Sequence, residues 1–282
     1  MLKETPIPVT LHVEGRIAVV TLARPERLNA ISSDLLHVFA AALQDAEASA
    51  ADVILLEAQG RAFCAGDDLN ELISHEPTAE LAVDFVARLQ SISRMLMFGT
   101  KPVVCAAQGY IVGAGAAWPL NADFSILADS AVMFCPEAKW GMFPSGGLTA
   151  LLPACCGPVR AGEIIWRGMN INAREMVAMG IAGHSVLTDD LPAAARAVGT
   201  GGSFVAGAAT WAGSTATARA VGTTGSFVAG SVTWTGSTAT ARAVSAGGSF
   251  VAGSVTWTGS IATARAVGTS GSFIAGSATW AG

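Results

Sequence analysis

Arginines at positions 196, 219, 242 and 265 recur every 23 residues, each near the start of almost the same segment. "ARAVGTGGSFVAGAATWAGSTAT" returns as "ARAVGTTGSFVAGSVTWTGSTAT" and "ARAVSAGGSFVAGSVTWTGSIAT", and a fourth, partial copy ends the chain. A strict period of this length restricts the last third to one small unit repeated, whether as a solenoid, as stacked hairpins or without a fold. Thr, Ser, Val, Phe and Trp between Gly-Gly or Thr-Gly pairs lean toward short strands and turns. No acidic residue follows Asp190. The copies agree even at surface-type positions, and a unit of 23 codons keeps the reading frame on each duplication. Residues 197–282 therefore read as a β-leaning or disordered tandem repeat, a duplication or frameshift product.

Residues 1–196 follow a different grammar, one of alternating strands and helices. "RIAVVTLA", "DVILLEA", "KPVVCAAQG", "FSILAD" and "AVMFCPE" are apolar runs of strand length. "SSDLLHVFAAALQDAEA" places Leu35, Leu36, Phe39 and Leu43 on one helical face, with Ser32 or Ser33 as the cap. "ELAVDFVARLQSISRMLMFG" predicts a second long helix. "GGLTALLPACC" and "NAREMVAMG" predict shorter ones. Such alternation predicts an α/β core.

Half of the chain is apolar and 13% is charged, a balance suited to a buried core. The net charge of −5 and the lack of a basic run argue against nucleic acid as a partner. The five cysteines show no metal spacing and no even framework, which suggests a reducing compartment, and the four histidines are scattered, so no metal site is expected. "MLKETPIPVT" lacks the apolar stretch of a signal peptide, and a cytoplasmic protein is expected. The apolar segment from Pro102 to Leu120 is broken by Gln108, three glycines and Pro119, which predicts a buried strand, turn and helix rather than a membrane span.

Two small-residue turns follow predicted strands. "AQGRAFCAGDDLNEL" comes after "DVILLEA", and "GYIVGAGAAWPLNAD" after "KPVVCAAQ". Small residues at a strand end let a ligand approach the main chain, whose N–H groups can hold an oxygen that gains negative charge. The second turn has Trp118 where a dinucleotide fingerprint needs its third glycine, so a Rossmann site is disfavoured. Glu137, in "CPEAKWGMFPSGG", follows the apolar run Ala131–Phe134, a costly place for a charge.

Taken in order and spacing, "ARPERLNAIS", "RAFCAGDDLNEL", "KPVVCAAQGYIVGAGAAWPLNADF" and "PEAKWGMFPSGG" resemble the crotonase superfamily of enoyl-CoA hydratases and isomerases, over residues 8 to 192. The resemblance implies a repeated ββα superhelical core and an acyl-CoA thioester substrate, with coenzyme A as part of that substrate and no separate cofactor. It implies that the amides of Ala65 and Ala114 hold the thioester oxygen, that Arg24 and Arg27 run along the CoA moiety, and that Glu137 matches a catalytic glutamate. Asp68 matches a position common in the family's "AGxD" turn, where it looks structural, and it is counted among the CoA-binding residues. Hydratases of this family carry another glutamate where this chain has Ala117, and dienoyl-CoA isomerases another acid where it has Ser145. A lone Glu137 favours moving a double bond over adding water. Hydration with one glutamate, and a non-catalytic acyl-CoA binder or degenerate product, are the alternatives. The superfamily implies a homotrimer or a hexamer. Here the helical segment that follows the core in relatives is replaced by the repeat, which leaves "LPAAARAV" as the start of a helix stopped by "GTGG".

Overall fold

The computed structural model of the protein describes residues 7–74 and 78–199 and, between 204 and 281, the backbone of the strands alone. The chain divides between residues 195 and 196 into two compact units.

In the first unit, apolar runs become strands of two sheets. The larger sheet contains β1 (Val9–Glu14), β2 (Ile17–Leu22), β3 (Val53–Ala58), β5 (Val103–Ala107), β7 (Phe124–Ala128) and β10 (His184–Val186), in that spatial order. Only β1 and β2 pair antiparallel; the other neighbours are parallel. All six residues of β2 are buried, as expected for a strand covered on both faces of a parallel sheet. The smaller sheet holds β4 (Ala62–Cys64), β6 (Tyr110–Val112), β8 (Val132–Phe134) and β9 (Ile171–Asn172). Each long strand is followed by a short one and then by helix. Thus β3 and β4 lead to α2 (Leu69–Ser74) and α3 (Ala79–Phe98), β5 and β6 to α4 (Ala117–Asn121), and β7 and β8 to α5 (Leu148–Arg167). This is a repeated ββα unit, as the resemblance implied.

The helices follow local rules. In α1 (Ser33–Ala48) the Ser32 hydroxyl accepts from the Leu35 N–H, and Leu35, Leu36, Phe39 and Leu43 are buried. Each such side chain contributes ~1.5–3 kcal/mol. In α6 (Ala173–Ala178) Asn172 and Glu175 form a reciprocal capping box. Helix α5 is long and apolar enough to cross a membrane by length and composition, yet Gly157 breaks it with φ 78° between Pro153 and Pro158. The stretch from Pro102 to Leu120 forms β5, β6, a 3-10 turn over Gly113–Ala116 and most of α4. The last helix, α7, covers Leu191–Gly199.

In the second unit the strands form three parallel sheets, each built from equivalent strands of successive repeats. Phe204 pairs with Phe227, Trp211 with Trp234, and Arg219 with Arg242, which in turn pairs with Arg265. Every pairing is offset by one sequence repeat, so each strand is a template for its copy. The turns between these strands, and with them the question of whether the whole repeat folds, lie outside the described residues.

Candidate active site

Three loops meet beside the smaller sheet. The first is the turn after β4, Ala65–Asp68. Gly66 has φ +79°, and a Cβ there would lie 3.0 Å from the Val112 carbonyl, so glycine lets this turn close on the end of β6. The second is the 3-10 turn that begins at Gly113. Gly113 has φ +55°, and a Cβ on it would lie 3.0 Å from the Oε1 atom of Glu137. The third is the 3-10 turn Glu137–Trp140 after β8, closed by Gly141 in the left-handed region. The Met142 N–H donates to the Glu137 carbonyl and fixes the start of that turn.

Glu137 is 5% exposed, and neither carboxylate oxygen takes a hydrogen bond from another residue. Burial pushes its pKa above the ordinary carboxylate value, partly offset by its own main-chain amide. Buried carboxylates are normally hydrogen-bonded, so this one calls for an explanation outside packing. The neighbouring thiols are unreactive: burial pushes both Cys64 and Cys135 up to about 12.

The Ala65 amide, expected as one oxyanion donor, is engaged elsewhere. It donates to the Leu28 carbonyl at 3.0 Å. Leu28 and Asn29 both have positive φ, 54° and 53°. Asn29 holds this turn: its Oδ1 accepts from the Arg24 N–H, and its Nδ2 donates to the carbonyls of Gln59 and Ala62. The free amide in this segment lies two residues on. Ile31 and Asp67 form a parallel bridge in which the Ile31 N–H donates to Gly66 and the Asp68 N–H to Ile31. Extended backbone alternates its donors, so the Asp67 N–H points away from that bridge. The Ala114 N–H, in the first turn of its 3-10 segment, lacks an intrahelical acceptor.

Arg24, expected along coenzyme A, and Asp68 brace the turn together. Arg24 and Asp68 pair at 3.0 Å, and the Arg24 Nη1 also donates to the Ala30 carbonyl. Asp68 is buried, and its Oδ1 accepts from the Asn70 N–H at the start of α2. Arg27 is exposed. Ala117 is fully buried, and a Cβ on Gly146 would come within 2.5 Å of its methyl. The Gly146 carbonyl accepts from Asn121 Nδ2 and Ser93 Oγ, so loop 141–147 is fastened over position 117. Trp118 is core, edge-on to Phe39 at 5.0 Å and to Phe63 at 6.4 Å.

Asp67, which the sequence reading passed over, lies on the first of these turns. Its Oδ1 is buried without a hydrogen-bond partner. Burial, and secondarily the charge of Glu137, push its pKa up to about 6. Two adjacent acids in "AGDDL" were the available signal. Their surroundings separate them: Asp68 pairs with Arg24, whereas Asp67 has no such cation among the described residues and feels the charge of Glu137.

Residues 12–201 match the sequence model for enoyl-CoA hydratase/isomerase. A probable enoyl-CoA hydratase of Mycobacterium leprae is 30% identical over 194 residues, covering 68% of this chain and 74% of the relative. The 1,2-epoxyphenylacetyl-CoA isomerase of Escherichia coli is 34% identical over 173 residues, covering 60% and 66%. Among solved structures, an enoyl-CoA hydratase from Bacillus anthracis superposes with a TM-score of 0.65 at 28% identity, over 68% of this chain and 75% of the other. Similar proteins named hydratases outnumber those named isomerases, so the comparisons do not favour isomerisation.

Proposed function

The chain belongs to the enoyl-CoA hydratase/isomerase family, and on that premise we propose that it moves a double bond along an enoyl-CoA, with Glu137 as base. One observation carries the choice of isomerisation. Glu137 is buried and unpartnered, while Ala117 occupies the position of the hydratase family's other glutamate, under a loop that leaves it no room. A methyl group neither orients nor deprotonates water. A carboxylate kept from water is a stronger base than an exposed one. It can take a proton from C2 of a 3-enoyl-CoA, and the resulting negative charge spreads onto the thioester oxygen.

That oxygen needs donors. With the Ala65 amide held by Leu28, the pair proposed is the N–H of Asp67 and the N–H of Ala114, on turns that touch through Gly66 and Val112. Each donor of this kind contributes ~3 kcal/mol to lowering the barrier. Arg27, exposed beside the same turn, is proposed to meet a CoA phosphate, whereas Arg24 supports the site through Asp68. The ligand is thus an acyl-CoA thioester, and no separate cofactor is assigned. The repeat supplies no proposed site residue, since all of these lie between positions 24 and 137. We assign it as a distinct domain from residue 197, arisen by duplication and stacked strand on strand.

Hydration is the second reading. The hydratases among the relatives favour it, and Asp67 provides a carboxyl group beside Glu137 that the family pattern does not require. Incubation with 3-enoyl-CoA and, separately, with 2-enoyl-CoA decides. The expected result is interconversion of the two without 3-hydroxyacyl-CoA. Hydroxyacyl product would establish hydration, and binding without turnover would reduce the protein to an acyl-CoA binder.

A further inference from the structure

We propose that Asp67 is the second acid of this site, carrying a proton while Glu137 is ionised and delivering it to C4 as Glu137 takes one from C2. The inference rests on the reading of Glu137 as base. Its own support is geometric. Gly66 presses the turn of Asp67 onto Val112 and Gly113, and Gly113 in turn lies against the Glu137 carboxylate. The Oδ1 of Asp67 and both oxygens of Glu137 are buried, and none has a hydrogen-bond partner. Two carboxyl groups so enclosed do not both ionise cheaply, and one retained proton relieves the repulsion.

The surrounding groups do not relieve it otherwise. Among the described residues, Arg24, before α1, is paired with Asp68. Cys64, at the end of β4, is a neutral thiol that feels the Asp67 charge, and Cys135, after β8, is a neutral thiol that feels the Glu137 charge. The turn Gly113–Ala116 has no titratable side chain. Burial and the Glu137 charge agree in direction, since both keep the proton on Asp67.

The step balances within the substrate and these two groups. The C2–H bond breaks and its proton bonds to a Glu137 oxygen. The electron pair delocalises over C2, C3, C4 and the thioester oxygen. The Asp67 O–H bond then breaks as the new C4–H bond forms, and the double bond lies between C2 and C3. Proton transfer from Glu137 to Asp67 restores the starting state.

The test is a carbon-13 NMR titration of the full-length protein labelled at the aspartate carboxyl groups, with Glu137→Gln and Asp67→Asn alongside. One aspartate should titrate near 6, vanish in Asp67→Asn, and move down in Glu137→Gln, which removes the neighbouring charge. An Asp67 that titrates in the ordinary range near ~4, or that ignores Glu137→Gln, would overturn the proposal. This readout needs no turnover, so it stands apart from failure of the base assignment. If Asp67→Asn does not fold, wild type against Glu137→Gln alone decides. In turnover, Asp67→Asn should lower kcat about a hundredfold with little change in KM, and abolish the activity loss expected of wild type above about pH 6. A kcat within about threefold of wild type would contradict the acid role.

Discussion

Asp67 and Glu137 place the protein under opposed demands. Both are harder to ionise folded than unfolded, because burial penalises their charged forms. The folded state therefore binds more protons than the unfolded state between the ordinary carboxylate range and about 6. The stability this contributes is present below that range and is lost as pH rises through the folded value. Asp67→Asn should then be more stable than wild type at pH ~8, by on the order of 1–2 kcal/mol, with the gain fading at pH ~4. Urea unfolding at both pH values checks it. A variant less stable at the higher pH would mean that the Asp67 carboxylate has a partner. A gain in stability alongside a loss of activity is the trade expected of a site that stores unpaired buried charge.

At the scale of elements, the turn from Arg24 to Ala30 has an outsized role for its length. It places the Leu28 carbonyl on the Ala65 amide, and it does so from a left-handed backbone that costs a non-glycine residue about 1 kcal/mol or more. Asn29→Ala should destabilise the protein by about 2–4 kcal/mol, because it strands the Arg24 N–H and the carbonyls of Gln59 and Ala62. Chemical denaturation measures this, and a loss under about 0.5 kcal/mol would remove the turn from the account. The sequence made the long elements legible. Strands β2, β3, β5 and β7 are continuous apolar runs, and α1 and α3 carry helical periodicity beyond mistaking. It did not reveal β4, β6 or β9, whose two or three residues hold no period and whose pairing comes from distant strands. β1 escaped as well, since its outward-facing positions carry polar residues next to an edge. The proposed site divides in the same way. Glu137 and Ala114 follow from motif position. The engagement of Ala65 by Leu28, and the opposite directions of Asp67 and Asp68, follow only from how the Arg24–Ala30 turn pairs with the segment after β4.

At the scale of the molecule, the first unit carries the proposed chemistry. It also exposes large apolar side chains, among them Val159 and Trp166 on α5 and Phe98 at the end of α3. The alignment covers 74% of the Mycobacterium leprae relative, and after the matched residues this chain enters its repeat. We expect self-association through such surface, with the homotrimer or hexamer of the family as the reference state. Removing residues 200–282 should leave kcat/KM within about threefold, as no proposed site residue is lost; a drop beyond about tenfold would show that the repeat supports the site. The central claim is that the buried Glu137 carboxylate is the base that takes the proton from C2, and the turnover of 3-enoyl-CoA by Glu137→Gln tests it most directly. The amide keeps the shape of the side chain but is not a base at neutral pH, so binding should persist while turnover falls about a hundredfold or more. Turnover within about threefold of wild type would contradict the claim.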